Sequence, residues 1–265
     1  MKRITLHYLQ KLKEKGEKIT CLTAYDASFA HVLDQAGIEI LLVGDSLGMT
    51  VQGHDSTLPV TIENMVYHSQ AVSRGSQHAF LIADMPFMSY TTPEQALKNA
   101  AYLMQVGQVH MVKLEGGRWL AETIQQLTQY GIPVCGHLGL TPQSVHQLGG
   151  YRVQGRSISD AEQLRHDALA LQGAGISLLV LECIPMQLAK ELTQELSIPT
   201  IGIGAGKECD GQVLVLHDLL GITREKIPSF AKNFLQETDS IENAIIYFIR
   251  EVKEGSFPSV EYSFS

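Results

Sequence analysis

Short, continuously apolar runs alternate along the chain with longer stretches whose apolar residues recur at helical spacing. Eight of the runs read as strands: Ile19–Ala24, Glu39–Gly44, Phe80–Asp84, His110–Glu115, Ile132–His137, Ser177–Glu182, Ile198–Ile203 and Gln212–His217. Helical patterns fill most of the intervals. In QAGIEILLV, QYGIPVCG and GAGISLLVLE a Gly stands between helix and strand, as expected where a left-handed residue ends a helix and a strand starts at once. The eighth run is ambiguous, because the apolar spacing of QVLVLHDLLG suits a helix equally well, whereas Ala231–Glu254 reads as one long helix.

Strands that are apolar on both faces belong to a parallel sheet covered by helices, and eight strand–helix repeats favour closure over an open sheet. The pattern therefore predicts a single (β/α)8 TIM barrel spanning residues 1–265, with an open doubly wound sheet as the alternative. A length of 265 residues is normal for one such barrel. No low-complexity tract or long linker divides it.

Five consecutive runs end in residues that bind metals, move protons or hold anions: Asp45 and Ser46, Asp84, Lys113 and Glu115, His137, and Glu182. Chemistry in parallel barrels sits at the C-terminal ends of the strands, so these residues can converge although they span half the chain. An isolated Asp45 would more often be a helix cap. Taken with Asp84 and Glu115 on successive strands, it creates like-charge repulsion that a bound hard cation relieves. Oxygen-only donors favour Mg²⁺ or Mn²⁺ over zinc. A substrate with adjacent carboxylate and keto oxygens could chelate such an ion, which then acidifies the carbon beside the ketone.

Glu182 ends the very apolar SLLVLE and is the candidate base for that proton; the structural alternative is a buried ion pair with Lys113. Lys113 and His137 could meet a substrate carboxylate or a developing oxyanion. The segments LGMTVQGHDSTLPVT after Ser46 and LGLTPQSVHQLGGYRVQGRSIS after His137 are long for such loops and read as lids or binding loops. IGIGAGKECDG fails both as a P-loop, since Glu208 follows Lys207, and as G-x-G-x-x-G. It remains a tight turn, or a weaker phosphate cradle.

Composition narrows the classes. Hydrophobic residues make up 45% and charged residues 18%, enough for one large core and unlike disorder. A net charge of −8 without a basic run argues against nucleic acid. Four widely spaced cysteines without a CxxC pair, a charged N-terminus and no apolar run of membrane-spanning length lead to the expectation of a reduced, cytoplasmic protein without a membrane partner.

The strings LLVGDSLGMTVQGHDSTLPVT, LIADMPFMSY, MVKLEGG, PVCGHLGLTPQSVHQLGGYRVQGR, LLVLECIP and IPTIGIGAG resemble, in order and spacing, those of the ketopantoate hydroxymethyltransferase family. The resemblance implies a barrel of the phosphoenolpyruvate mutase/isocitrate lyase-like type and a homo-oligomer, commonly a decamer. It also implies Mg²⁺-assisted transfer of a hydroxymethyl group from methylenetetrahydrofolate to 3-methyl-2-oxobutanoate, giving ketopantoate for pantothenate synthesis. Carried over by motif, Asp45, Asp84 and Glu115 form the metal site. Ser46, Lys113 and His137, with Asp45 and Asp84, contact the keto acid, and Glu182 accepts the proton. Tyr262 departs from the family, which often shows His there. Two rivals are a Mg²⁺-dependent carbon–carbon lyase or mutase acting on a 2-oxo acid and a non-catalytic binding barrel. The absence of a KKCGH string counts against an isocitrate lyase.

Overall fold

Each apolar run becomes a strand because both of its faces find cover, one inside a barrel and one beneath a helix. The computed structural model describes residues 2–224 and 226–265. The strands are β1 (Ile19–Thr23), β2 (Ile40–Val43), β3 (Phe80–Asp84), β4 (Met111–Glu115), β5 (Val134–Gly139), β6 (Leu178–Glu182), β7 (Thr200–Ile203) and β8 (Gly211–Leu214). They pair in parallel in sequence order and β8 closes onto β1. The open-sheet alternative is excluded.

The helices are α1 (Leu6–Glu14), α2 (Ala27–Ala36), α3 (Leu47–Thr50), α4 (Ile62–Gly75), α5 (Pro93–Gln105), α6 (Ala121–Gln129), α7 (Val145–Leu148), α8 (Ile158–Ala174), α9 (Met186–Glu195), α10 (Leu216–Leu219) and α11 (Ile241–Glu254). At the expected junctions Gly37 ends α2 and Gly175 ends α8, both left-handed. No helix is long and apolar enough to cross a membrane among the described residues.

Two expectations fail locally. The run Gln212–His217 is a strand only to Leu214; Leu216 turns into α10, where Leu216 and Leu219 bury side chains at helical spacing. The helix expected from Ala231 starts at Ile241, where the Ser240 hydroxyl accepts from Asn243 N and caps it. The preceding segment instead turns Phe234 inward, edge-on to Phe248 and Phe257.

Apolar packing divides into two layers. Inward positions on alternate residues, such as Ile40 and Leu42, Phe80 and Ile82, or Leu178 and Val180, fill the barrel. Leu9 and Leu12 of α1 join them and plug the N-terminal end. The other strand face, with Leu41, Leu81, Val112 and Leu179, packs on the helices. A fully buried leucine contributes about 2 kcal/mol through lost water contact, so both layers are needed to offset the entropy of ordering the chain.

One buried charge pins the approach to β3. Asp34 on α2 is 4% exposed, and its carboxylate accepts from Ser76 Oγ at 2.9 Å and from the backbone N–H groups of Gln77, His78 and Ala79 at 3.1, 2.9 and 2.8 Å. Burial alone would raise its pKa, but these bonds outweigh it and hold the carboxyl below its ordinary value. Replacing Asp34 with Ala should cost about 3 kcal/mol in denaturant unfolding, since it orphans several buried donors. A depressed folded pKa stabilises above the unfolded value. The difference between wild type and Asp34→Ala should therefore narrow as pH falls below about 4, and a difference that does not narrow at all between about pH 5 and about pH 2.5 would contradict this origin.

Candidate active site

The period-2 alternation that fills the barrel also builds its mouth. Continuing the inward series, Phe80 and Ile82 lead to Asp84, Met111 leads to Lys113 and Glu115, Cys135 leads to His137, and Leu178 and Val180 lead to Glu182. Parallel register sets these residues side by side: Asp84 is opposite Lys113, and Glu115 is opposite His137. Asp45 follows Gly44, whose inward position is empty for a reason. A Cβ there would stand 2.7 Å from Ser46 Oγ and 3.6 Å from Asp84 Oδ2.

All seven residues expected from the sequence line one cavity of about 520 Å³ at the C-terminal mouth. Asp45, Asp84, Lys113, Glu115 and His137 are buried, and Glu182 and Ser46 are partly so. Lys113 Nζ lies 2.8 Å from Asp84 Oδ1 and 3.6 Å from Glu115 Oε1. The His137 ring stands between two carboxylates, with Nδ1 3.3 Å from Glu115 Oε1 and Nε2 3.2 Å from Glu182 Oε2. The structural alternative for Glu182, a bridge to Lys113, is not formed: Glu182 meets His137 instead.

Electrostatics follow from this packing. Burial and Lys113 work against the charged imidazole, but Glu115 and Glu182 outweigh them and raise His137 to about 9. Burial also works against the Lys113 ammonium, yet Asp84, Glu115 and Asp45 hold it charged. Glu115 is pushed up by burial but kept below the usual range by His137 and Lys113. Asp45 goes the other way: burial, then Asp84 and Glu115, push its carboxyl well above the ordinary range. Four carboxylates thus share two cationic side chains.

That shortfall is the condition under which a hard cation fits. Asp84 Oδ1 and His137 Nε2 are buried without an aligned hydrogen-bond partner, which leaves lone-pair and donor capacity for a ligand. Glu115 is already occupied by Lys113, His137 and the Gln143 N–H at 3.1 Å. Among the described residues, no three His, Cys, Asp or Glu side chains are gathered tightly enough to hold an ion by themselves. The donor set suits a site that bound oxygens of a substrate or water would complete.

Several residues at the cavity or directly behind its lining carried no readable signal. Gln143 is buried in the loop after β5; its Nε2 donates to Asp45 Oδ2 at 2.8 Å and to Met85 O at 2.9 Å, and its Oε1 accepts from Tyr90 Oη at 2.5 Å. Tyr25 Oη and Ser46 Oγ are 2.8 Å apart. Phe264, six residues into what reads as a polar tail after Pro258, reaches the cavity, and its carbonyl accepts from Met186 N. The glycine turn after β7 packs against Phe230, Phe264 and Met186, as a tight turn would. Asp218 also lines the cavity.

A closed parallel barrel with acid, base and anion-holding groups gathered at its C-terminal mouth defines an enzyme of the TIM-barrel class. Comparison with known proteins is specific. The sequence model described as ketopantoate hydroxymethyltransferase matches residues 3–260, and the chain belongs to that family. It is 59% identical over 265 residues to the 3-methyl-2-oxobutanoate hydroxymethyltransferase of Shewanella loihica, and 59% identical over 264 residues to that of Nitrosococcus oceani, in each case over 100% of both chains. Among solved structures it is similar to phosphonopyruvate hydrolase in complex with oxalate and Mg²⁺, with a TM-score of 0.63 and 12% identity over 98% of this chain and 93% of that one. It is also similar to 2,3-dimethylmalate lyase, a phosphoenolpyruvate mutase/isocitrate lyase superfamily member, with a TM-score of 0.58 and 18% identity over 82% of this chain and 80% of that one. These likenesses establish the fold type.

If Asp45 and Asp84 supply the carboxylate oxygens for a divalent cation, Asp45→Ala and Asp84→Ala should each weaken Mn²⁺ binding in calorimetry by at least about tenfold while leaving the circular dichroism spectrum unchanged. Wild-type affinity in either variant would remove that residue from the ligand set.

Proposed function

We propose that the chain transfers a hydroxymethyl group to 3-methyl-2-oxobutanoate, with methylenetetrahydrofolate as the one-carbon donor and ketopantoate as the product. The observation that carries this reading is Glu182. It is a carboxylate held by His137 at one side of a cavity whose other side presents Asp45 and Asp84, in a chain matched end to end by hydroxymethyltransferases. Asp45 and Asp84 would hold Mg²⁺, with Glu115 behind them, and the ion would supply Lewis-acid polarisation of the keto oxygen. A likeness to a protein crystallised with oxalate and Mg²⁺ supports that chemistry, since oxalate also offers two adjacent oxygens.

The chain's own groups account for the remaining demands. Lys113 and the cationic His137 present positive charge to the substrate carboxylate and the developing enolate oxygen. Ser46, placed by Tyr25, offers a further hydrogen bond. Glu182 Oε takes the proton from the methine carbon beside the ketone, and the adjacent imidazolium then stabilises the enolate rather than competing for that proton. The loop after β5 excludes water from this chemistry. Gln143 fastens its start to Asp45 and Glu115, Gln154 N donates to Cys183 O at 2.9 Å near its end, and Tyr151 Oη reaches Met49 Sδ of the other long loop at 3.5 Å. The same reading places the enzyme in the cytoplasm as a homo-oligomer.

Ketopantoate formation from the three components, 3-methyl-2-oxobutanoate, methylenetetrahydrofolate and Mg²⁺, is the direct test; its absence would sink the proposal. The base can be tested separately. Glu182→Gln should still bind keto acid and metal but exchange the substrate methine proton in deuterium oxide at least about 100-fold more slowly, without any folate present. Undiminished exchange would take Glu182 out of the role. For the loop, amide hydrogen exchange across residues 138–159 should slow when Mg²⁺ and keto acid are both added. Equal protection with and without them, while peptides at Asp84 and Glu115 respond, would show a static surface segment.

A further inference from the structure

The cavity is larger than the keto acid needs. At the liquid-water share of about 30 Å³ per heavy atom, the eight heavy atoms of 3-methyl-2-oxobutanoate take at most about 240 Å³, less than half of the 520 Å³ present. The groups expected to hold the acid stand on β2 to β6, so the unused space lies toward β7, β8 and β1, lined by Ile203, Val213, Val215 and Phe230. The cavity lining also includes Thr223, Arg224 and Lys226, and on this side stands one buried carboxyl, Asp218, carried by α10 just after β8.

Asp218 differs from the other buried carboxyls of the cavity. Asp84 and Glu115 touch Lys113, Glu115 also touches His137, and Asp45 accepts from Gln143. The Asp218 carboxyl instead takes a short hydrogen bond from the Thr223 hydroxyl, and no basic side chain of the described residues offsets its charge. Burial raises its pKa, the Thr223 bond opposes that, and the charge of Glu182 across the cavity adds to the rise. The two carboxyls therefore stand in contrasting company, one beside an imidazolium and one beside a hydroxyl. Such a contrast separates a proton acceptor from a proton donor.

The reaction needs a donor there. A one-carbon unit held between amine nitrogens leaves only if the nitrogen is protonated as its bond to carbon breaks. We propose that Asp218 is the general acid that protonates the donor's amine nitrogen during this cleavage. This rests on the hydroxymethyl-transfer reading above. The carbon–nitrogen bonding pair stays on nitrogen and takes the Asp218 proton. The carbon is left as an iminium on the second nitrogen; water adds its oxygen there and returns one proton to Asp218. The hydroxymethylamine then splits, its second carbon–nitrogen pair staying on nitrogen and taking the hydroxyl proton, so that formaldehyde is released and the carboxyl is restored. Glu182 serves the keto acid and Asp218 serves the donor.

Asp218→Asn keeps the shape of the side chain and an oxygen for Thr223 but carries no acidic proton. Its turnover with methylenetetrahydrofolate should fall by about 100-fold or more, while methine exchange of 3-methyl-2-oxobutanoate in deuterium oxide stays within about threefold of wild type. Formaldehyde supplied directly as the one-carbon source bypasses the cleavage, so with it Asp218→Asn and wild type should make ketopantoate at similar rates. Asp218→Glu should recover part of the folate-driven rate. Folate-driven turnover near the wild-type value in Asp218→Asn would overturn the assignment, as would a parallel loss of folate-driven turnover and proton exchange, which marks a structural role. If Asn prevents folding, Asp218→Ser is read by the same criteria. Wild-type protein that exchanges the methine proton but makes no product from the folate would sink the donor reading itself, a result distinct from any variant effect.

Discussion

Strand register is the constraint on which everything else in this molecule depends. In a closed parallel barrel each strand is locked to two neighbours, and the side-chain period of two leaves only one phase pointing inward. The register that pairs Asp84 with Lys113 and Glu115 with His137 is the same one that sends Ile82, Met111 and Val180 into the barrel below them. A slip of one residue on β4 would turn Lys113 and Glu115 toward the helices and Val112 and Leu114 into the mouth. The apolar layers therefore fix the charges, since burying a misplaced carboxylate or ammonium costs several kcal/mol.

The charge arrangement carries its own tension. Pairing Lys113 with Asp84 and His137 with Glu115 and Glu182 satisfies most of the buried ions, but Asp45 is left with an amide partner and two like charges nearby. A scaffold built only for stability would gain by replacing such a group with an apolar side chain. Its retention, 3% exposed, at the end of β2 fits a site that is incomplete until something positive arrives. Asp84 Oδ1 and His137 Nε2, which meet only Lys113 and Glu182 as ion partners, keep capacity for a ligand as well.

Strand-end chemistry was legible because the barrel writes it with a fixed grammar: an apolar run, then a polar residue in the inward phase. Asp84, Lys113, Glu115, His137 and Glu182 all obey it, and the structure brings them into one cavity. Groups that reach the cavity from irregular segments escaped, since loops have no period. Phe264 arrives through the C-terminal tail, and Gln143, in a 3₁₀ turn, supports Asp45 and Glu115 from behind the cavity wall. Asp218 was hidden by a boundary error. The run expected to be strand through His217 breaks at Val215, so the next residues swing into α10 and carry Asp218 to the wall. The overlong C-terminal helix has a similar origin: apolar residues at 231, 234 and 235 match helical spacing, but three aromatic contacts of buried Phe234 decide the local path.

One local distortion joins β6 to the loop after β5. Cys183, directly after Glu182, has φ of 47°, a left-handed conformation that costs a non-glycine residue about 1 kcal/mol or more. The turn it makes ends β6 abruptly. Cys183 N still reaches Ile203 O on β7, while its carbonyl swings out to accept Gln154 N from the loop after β5. Leu140 N at the start of that loop donates to Glu182 O itself. The backbone carbonyls of Glu182 and Cys183 are thus both held by the loop after β5, so movement of the loop and orientation of the proposed base are mechanically coupled. Strain at Cys183 is the cost of turning its carbonyl out to one end of the loop while the Glu182 carbonyl meets the other.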